Sequence, residues 1–464
     1  MTVVILLADG VRPDTLQSAM DSGRAPALAR LRAEGAFSTI TSCFPSVTGP
    51  AYTPFLMGRF PGPVGLPGLR WFDRSRAVCS FPDYTRSYVG LQVNRINEDL
   101  DPSVPTIFEL CARSLGSLSP ITRGLKSGLR LGRLTPRTTW RVARTHFGGN
   151  VAGWLDIDLE LASQVADKVR AEHPDFVFAA LVGVDKTSHA AGQPSPLVDQ
   201  ALEIVDSTAA TIRTNAERDG SWERMHLWVT SDHGHSPVTT HEDLSGLIAS
   251  WGFRVIAHPW IYKWRPEVAV MVSGNAMAHL YLDIARPTRP TLSGRYGELV
   301  DRLLERPSVD LVILPEKDGA RIRARGRGEA LVIFDGNLLS YRRESGDPLR
   351  LDRDLCRISA DESYEATVHG EYPDSLVQIA HLSSASRSGE IILSASRNWD
   401  YRSKHEPIPH VSSHGALHRD HMLVPLLTNR RYPGIARRTT DVMPSALAAL
   451  GLAIPEKLDG RSFI

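Results

Sequence analysis

The sequence predicts an α/β fold, namely an α/β/α sandwich with a mostly parallel central sheet and an inserted α+β cap subdomain. Continuous apolar runs in the chain are typical of strands that are covered on both faces. Helical patterns alternate with these runs, which indicates a doubly wound sheet. From about residue 241 the pattern changes to short strand-like runs, which are typical of a separate α+β unit.

Three apolar runs define the strands that matter most for function. They occupy residues 3–8, 176–182 and 226–230. An aspartate follows each run, as Asp9, Asp185 and Asp232 respectively. Because ligands bind beyond the carboxyl ends of the strands in open α/β sheets, we expect these carboxylates to lie in one site.

The remaining elements divide the chain into three segments. Ser195 and Pro196 supply an N-cap and a first-turn proline for a helix with an apolar stripe through residue 212. Strand-like runs in the cap occupy residues 268–272, 278–282, 311–314 and 330–334, and a basic, turn-rich stretch occupies residues 321–327. Core strands are expected to resume at 391–394 and 422–427, with a closing helix at 441–450. We therefore predict a core at 1–240 with a basic insertion at 111–155, a cap at 241–380, and the rest of the core at 381–464.

Composition excludes several classes of protein. The 464 residues carry 53 Lys and Arg against 52 Asp and Glu, a net charge of +1, which argues against a general nucleic-acid or membrane-surface binder. The four cysteines are far apart and form no CxxC pair, so they predict neither a zinc ribbon nor a disulfide framework. Cysteine usage predicts a cytoplasmic location. The apolar start is too short to span a bilayer and is expected to form a strand.

One stretch, from residue 111 to residue 155, contains no Asp or Glu. Its basic residues are Arg113, Arg123, Lys126, Arg130, Arg133, Arg137, Arg141 and Arg144. One interpretation is a basic lid that meets an anionic substrate, or a phospholipid head group through peripheral membrane contact at 113–144. The alternative is a solvated helical insertion.

Seven residues at motif-like positions are candidate metal ligands. They are Asp9, Thr48, Asp185, His189, Asp232, His233 and His414. Each is weak evidence when taken singly, but aspartate and histidine side chains at strand ends are the donors that divalent zinc or manganese takes. The set is large enough for two ions, so we predict two divalent cations, zinc first and manganese as the alternative.

Thr48 is the candidate nucleophile. It precedes a helical pattern at 51–57, and a helix N-terminus favours negative charge. A bound metal lowers the pKa of a hydroxyl, so a threonine nucleophile should itself be a ligand. Without the other ligands, Thr48 would be interpreted as a simple N-cap. Three carboxylates around two divalent ions leave about one positive charge, which suits a phosphodiester monoanion.

These motifs resemble a known family. Asp9, FPSVTGPAY around Thr48, GRFP, Asp185 followed by His189, SDHG and SHG occur in the order found in the alkaline phosphatase superfamily, most closely in its type I phosphodiesterase/nucleotide pyrophosphatase branch. The resemblance implies an alkaline-phosphatase-like fold in which Thr48 is transiently phosphorylated before water attacks. It also implies two zinc sites, one formed by Asp9, Thr48, Asp232 and His233, and the other by Asp185, His189 and His414.

The chain departs from this pattern in ways that affect the substrate. Val64 and Leu69 stand where many nucleotide pyrophosphatases have a histidine and an asparagine that touches the phosphoryl oxygen. Arg70 is a candidate substrate-binding substitute, with a structural ion pair as the alternative. Cys43 begins a sulfatase-like CxPxR signal, but Val47 occupies the arginine position, so sulfatase chemistry is not expected.

The sequence therefore predicts a two-metal phosphohydrolase of the phosphodiesterase type that acts on a small phosphoester, with no nucleic-acid polymer as partner. A phosphomonoesterase or phosphonate hydrolase is the nearest alternative, and a non-catalytic metal protein that binds anionic lipid or a partner is the third. The oligomeric state stays open. His235, His418 and His421 lie beside ligand motifs, where they either support the ligands, contact the substrate or pack.

Overall fold

The computed structural model describes residues 1–76, 84–132, 140–142, 144–145, 148–257, 265–402 and 410–464. Within these ranges the chain forms two large sheets, each packed between helices. In the same part of the chain, no helix combines the length and the hydropathy that a bilayer crossing needs. Arg133 and Arg137 of the basic stretch lie outside the described residues, as does Cys79, one of the four cysteines.

The central sheet has seven strands, and six of them run in the same direction. Across the sheet they are Ala36–Thr41, Leu423–Thr428, Met225–Thr230, Thr2–Ala8, Phe176–Leu181, Ser114–Ser117 and Arg130–Leu131. Only Leu423–Thr428 is reversed. The three apolar runs noted in the sequence are therefore direct neighbours, with Thr2–Ala8 between the other two.

Both faces of the central sheet are covered, which confirms the predicted α/β/α sandwich. Val3, Ile5 and Leu7 belong to one apolar layer, and the alternating Val4 and Leu6 belong to the other. The first layer contains the short helix Thr53–Met57 and the closing helix Val442–Leu450. The second contains the four helices Pro13–Asp21, Pro26–Glu34, Ala152–Glu172 and Pro196–Arg218.

The second sheet has nine strands and is antiparallel apart from its first pair. In order they are Val255–Ile256, Val268–Ser273, Met277–Leu282, Ile391–Ala395, Val309–Glu316, Gly319–Ala324, Gly328–Asp335, Leu338–Gly346 and Leu355–Ile358. Helices Leu244–Ser250 and Arg295–Leu304 pack on one face, and helices Ala360–Thr367 and Ser375–Ser383 pack on the other.

Two predictions about the cap were wrong. The apolar run at 391–394 was assigned to the core, but Ile391–Ala395 lies in the middle of the second sheet, because burial on both faces is common to both sheets. The stretch 321–327 is not simply turn-rich, since Gly319–Ala324 is a strand and only its end forms a turn. The division at residues 240 and 380 stays our proposal, and the second sheet itself continues to Ala395.

Two predictions about helices also need correction. The pattern at 51–57 forms a 3-10 turn, Pro50–Tyr52, followed by the five-residue helix Thr53–Met57, so few peptide dipoles are aligned behind Thr48. The basic insertion is not purely helical either, because Ser114–Ser117 and Arg130–Leu131 join the central sheet.

Short elements complete the described fold. Ser236–His241 pairs with Asn398–Asp400 and with Ser412–Ser413 in a small three-stranded sheet, and Arg70–Phe72 pairs with Thr85–Ser87. The short α-helices are Ile96–Asp99, Ile107–Leu110, Gly183–Ala191 and Arg419–Met422. The further 3-10 turns are Leu91–Arg95, Ser127–Leu129, Trp222–Arg224 and Thr439–Asp441.

Candidate active site

The central sheet brings three carboxylates to one edge. Asp9 and Asp232 lie just beyond the neighbouring strands Thr2–Ala8 and Met225–Thr230. Asp185 lies in the first turn of helix Gly183–Ala191, which follows the strand on the other side of Thr2–Ala8. All three side chains are buried. Three buried carboxylates close together need positive charge to offset the loss of hydration and their mutual repulsion.

The first group of donor atoms comprises Asp9, Asp232 and His233, whose candidate ligand atoms all lie within 4.8 Å of one another. Thr48 joins this group: its Oγ1 lies 3.2 Å from Asp9 Oδ1 and 3.2 Å from His233 Nε2. Tyr52 donates a hydrogen bond of 3.3 Å to the other oxygen of Asp9. The half-buried Thr48 hydroxyl therefore faces a carboxylate and an imidazole nitrogen.

The second group comprises Asp185, His189, His414 and also His235, with ligand atoms within 4.8 Å of one another. The Nε2 atoms of His235, His189 and His414 lie 2.8, 3.3 and 3.5 Å from Asp185 Oδ1. His235 was not in the predicted ligand set. The small sheet explains its position, because Ser236 pairs with Ser413 and their neighbours His235 and His414 therefore lie side by side.

The turn after the first strand is fitted closely to this group. Gly10 has a φ of +78°, and a Cβ there would lie 2.9 Å from the His235 ring and 3.1 Å from the Asp185 backbone. Only glycine combines this conformation with so close an approach. The sequence thus carried a signal for His235, in the Asp9-Gly10 turn and in SDHGHSP. This signal does not show which residues His235 contacts, because that depends on the tertiary packing.

Hydrogen bonds fix how the histidines of the second group face the carboxylate. His189 Nδ1 lies 2.9 Å from the Ser412 carbonyl oxygen, and His414 Nδ1 lies 2.9 Å from the Ser46 carbonyl oxygen. A carbonyl oxygen can only accept, so both Nδ1 atoms carry the proton. Burial holds the pKa of His414 well below its usual value, so its ring is neutral and its Nε2 lone pair faces Asp185. A cation between the imidazole nitrogen and the carboxylate would satisfy both acceptors. Nitrogen and carboxylate oxygen are the donors expected around a divalent metal.

The first group also fits a cation. Asp232 Oδ2 is buried and, among the described residues, has no hydrogen-bond partner. Burial and the nearby Asp9 carboxylate raise the pKa of Asp232. Burial opposes protonation of His233, but Asp232 and Asp9 outweigh it and raise the pKa of His233 to about 9. The two carboxylates therefore favour a positive charge beside them, which a divalent ion would supply.

Lys186 lies beside the second group. Its Nζ donates a 2.7 Å hydrogen bond to Asp185 Oδ2, the oxygen that does not face the histidines. Burial opposes ionisation of both residues, but their mutual attraction raises the pKa of Lys186 and lowers that of Asp185. Burial also lowers the pKa of His235 to about 3, so that ring is neutral.

The other candidate residues lie around these two groups. Arg70 begins the strand Arg70–Phe72, and its backbone N–H and that of Leu69 approach Ser273 Oγ. Ser273 ends the strand Val268–Ser273, and the next residue, Gly274, lies against His414. Its role in substrate binding stays a prediction. His421 bonds Ser236 Oγ and the backbone N–H of Ala416, which holds the segments carrying His235 and His414. His418 is buried against the ring of His421.

Cys43 is fully buried, and burial raises the pKa of its thiol well above the ordinary value. A buried thiol of this kind is unreactive, in agreement with the absence of the sulfatase arginine.

Where the structure describes the basic insertion, several of its arginines are paired with acids. Arg113 pairs with Asp175, Arg123 with Glu109, and Arg141 with Glu160. Paired arginines have less positive charge to offer a membrane or a substrate. The lid and the membrane contact at 113–144 therefore stay predictions.

Solved structures with similar folds span nearly the whole chain. Phosphonoacetate hydrolase from Sinorhizobium meliloti 1021, in complex with phosphonoacetate, has a TM-score of 0.56 at 17% identity over 97% of this chain and 96% of that one. Murine ectonucleotide pyrophosphatase/phosphodiesterase 5 has a TM-score of 0.56 at 16% identity over 99% and 98%. The human protein has a TM-score of 0.58 at 14% identity over 98% and 97%. These likenesses confirm the alkaline-phosphatase-like fold.

Sequence comparison identifies the family directly. No curated protein sequence matches the chain at a significant level. The family model described as type I phosphodiesterase/nucleotide pyrophosphatase, in contrast, matches residues 3–418, which include every candidate ligand and Thr48. The chain therefore belongs to the type I phosphodiesterase/nucleotide pyrophosphatase family of the alkaline phosphatase superfamily, and it is a metal-dependent hydrolase of phosphoesters.

Proposed function

We propose that this enzyme hydrolyses a small phosphodiester with two divalent metal ions and a phospho-threonine intermediate formed on Thr48. The observation that carries the proposal is the position of the Thr48 hydroxyl, within 3.3 Å of Asp9 and His233 and beside two groups of buried metal donors. Zinc suits both donor sets, and manganese is the alternative.

The ligand sets follow from the two groups of donor atoms. Asp9, Asp232, His233 and Thr48 would hold one ion. Asp185, His189 and His414 would hold the other, with His235 as an additional ligand that the sequence analysis did not include. The His233 and His414 rings stack 3.7 Å apart, so the two groups are adjacent. When bound, the ions lower the pKa of a hydroxyl and offset the charge of phosphoryl oxygens.

The residues of the chain then have separate tasks. Asp9 accepts the Thr48 hydrogen bond and so orients Oγ1. Oγ1 loses its proton and attacks phosphorus, the bond from phosphorus to the leaving oxygen breaks, and that oxygen leaves as an alcohol after it takes up a proton. Water then attacks the phospho-threonine, which releases the phosphomonoester and restores the Thr48 hydroxyl. Val64 and Leu69 carry aliphatic side chains, so neither can replace the asparagine donor that many relatives use. Positive charge at the site must therefore stabilise the phosphoryl oxygens to a greater extent than in relatives that have the asparagine.

The Thr48→Ala variant tests the nucleophile. We expect it to lose at least about 1,000-fold in kcat on bis-p-nitrophenyl phosphate, because the attacking group is gone. Thr48→Ser, which keeps a hydroxyl, is the matched control and should retain measurable turnover. Metal content is measured in each variant. Equal turnover of Thr48→Ala and the parent protein on every phosphoester tried would show that the assignment is wrong.

A phosphomonoesterase or phosphonate hydrolase is the second candidate function, and the positive charge of Lys186 beside Asp185 favours it. Parallel assays on bis-p-nitrophenyl phosphate and p-nitrophenyl phosphate distinguish the two. A monoester rate far above the diester rate would replace the diesterase proposal with this one. Mass spectrometry of quenched enzyme should show a phosphoryl group on the Thr48 peptide in either case.

The cytoplasmic location also stays a proposal. Cys43, Cys111 and Cys356 are free thiols, and Cys356 is exposed. Free thiols are typical of a reducing compartment.

A further inference from the structure

Lys186 occupies an unusual place at the active site. Helix Gly183–Ala191 carries Asp185 and His189 one turn apart, so both reach the same group of donors. Asp185 presents Oδ1 to three histidines and Oδ2 to the Lys186 ammonium. The lysine therefore contacts the carboxylate from the side that the histidines leave open, and it does not compete with them for one oxygen.

The ammonium is held in place but stays accessible. About a third of the Lys186 side chain, 32%, is exposed, whereas Asp185 is fully buried. The Trp154 ring lies 5.8 Å from Nζ and supports it from one side. Within the described chain, the one hydrogen bond of Nζ goes to Asp185. An ammonium has three N–H donors, so two of them can bind an incoming anion.

The charge of the site changes when Lys186 is counted. Three carboxylates and two divalent ions leave one positive charge, and the lysine raises this to two. Ionisation of Thr48 on attack would return the total to one. A diester contributes one negative charge, whereas a phosphomonoester or phosphonate contributes up to two. Before Thr48 ionises, the site with Lys186 therefore matches the charge of a dianionic substrate, and after ionisation the lysine supplies the one net positive charge that remains.

We propose that Lys186 is a substrate-binding residue that favours substrates with a second negative charge on the scissile phosphoryl group. The proposal rests on the proposed hydrolase function, and within it favours the second candidate, a phosphomonoesterase or phosphonate hydrolase, over the diesterase. Lys186 lies next to the carboxylate that the second ion would use, so its ammonium is placed beside the groups that would bind the phosphoryl oxygens.

The test compares Lys186→Met with the parent enzyme, both loaded with metal, on two esters at about pH 8, where the monoester is a dianion. We expect kcat/KM for p-nitrophenyl phosphate to fall about 10- to 100-fold more than kcat/KM for bis-p-nitrophenyl phosphate, the loss typical of one charged hydrogen bond. Lys186→Arg should recover part of the difference. Lys168→Met is the matched control, since Lys168 is similarly exposed but pairs with Glu172 on a surface helix. It should behave like the parent on both esters.

Two further measurements separate this proposal from its alternatives. Metal content of Lys186→Met, measured by mass spectrometry, should equal that of the parent. Equal loss on both esters, or loss of metal, would show that Lys186 only positions Asp185 and would overturn the proposal. Calorimetric titration with inorganic phosphate gives a readout without turnover: unchanged phosphate affinity in the variant also overturns it. If the parent cleaves neither ester, the proposed hydrolase function fails instead.

Discussion

In the second group of donors, buried hydrogen-bond acceptors face one another, namely Asp185 Oδ1 and the Nε2 atoms of three histidines. His189 and His414 each use Nδ1 to donate to a backbone carbonyl and direct Nε2 at Asp185. His235 does the same with Ser412 Oγ, whose own proton goes to the Ser236 carbonyl. Three imidazole rings directed at one carboxylate oxygen form a metal site more readily than a network of hydrogen bonds.

At this scale we predict that His235 is a metal ligand. His235→Ala should weaken binding of one of the two ions by about 10-fold or more, because it removes a nitrogen donor 2.8 Å from Asp185 Oδ1. Competition with a chromophoric chelator measures both affinities. His241→Ala is the control, since that half-exposed histidine pairs with Asp400 and belongs to neither group of donor atoms. Two unchanged affinities in His235→Ala would contradict the assignment.

Helix Gly183–Ala191 is held at its start by another helix. Asp158, on helix Ala152–Glu172, accepts hydrogen bonds of 3.0 and 2.6 Å from the backbone N–H groups of Val182 and Gly183. These groups lack partners within their own helix, so Asp158 acts as a cap from outside. The helix that carries Asp185 and His189 is thereby positioned relative to the sheet.

Asp158 predicts how stability depends on pH. Burial raises its pKa from 3.8 to about 7. Between these values the folded protein binds more protons than the unfolded chain, so the free energy of unfolding falls as the pH rises. The total loss is at most about 4 kcal/mol. Asp158→Asn removes this dependence. In urea unfolding, the free energy of unfolding of the parent should therefore fall relative to that of the variant when the pH is raised from about 5 to about 8. An equal difference at both pH values would contradict the prediction.

The whole molecule depends on contacts between its two large sheets. Asp374 precedes helix Ser375–Ser383, which packs on the second sheet. The backbone of Arg438 forms an isolated β-bridge with Thr41, at the end of a central-sheet strand. The guanidinium of Arg438 donates hydrogen bonds of 2.7 Å to both carboxylate oxygens of Asp374. Both side chains are buried, so the pair joins the two sheets in a region that excludes water.

Breaking this pair should destabilise the whole fold. Asp374→Asn keeps the size of the side chain and tolerates the left-handed φ of +59° at this position, but leaves the guanidinium of Arg438 without its counter-charge. We expect the free energy of unfolding to fall by about 3–5 kcal/mol in urea titrations. Asp335→Asn, in the exposed pair with Arg357, is the control and should cost at most about 1 kcal/mol. A similarly small loss for Asp374→Asn would contradict this account.

The local sequence was sufficient to predict four of the seven strands of the central sheet, and the family. Apolar runs at 3–8, 176–182 and 226–230 indicate strands that are buried on both faces. The aspartates after these runs indicate the edge of the sheet where ligands bind. These are properties of neighbouring residues along the chain. The motif order around Thr48 identified the family, which the match over residues 3–418 confirms.

Only the tertiary structure decided which distant segments meet. An apolar run indicates that a strand is buried, but it does not indicate which strand it pairs with. The run at 391–394 was therefore assigned to the wrong sheet. His235 joins Asp185 because a small sheet places it beside His414, and Lys186 faces the second oxygen of Asp185 because three histidines occupy the first. Such placements depend on pairing and packing across hundreds of residues, which spacing along the chain does not encode.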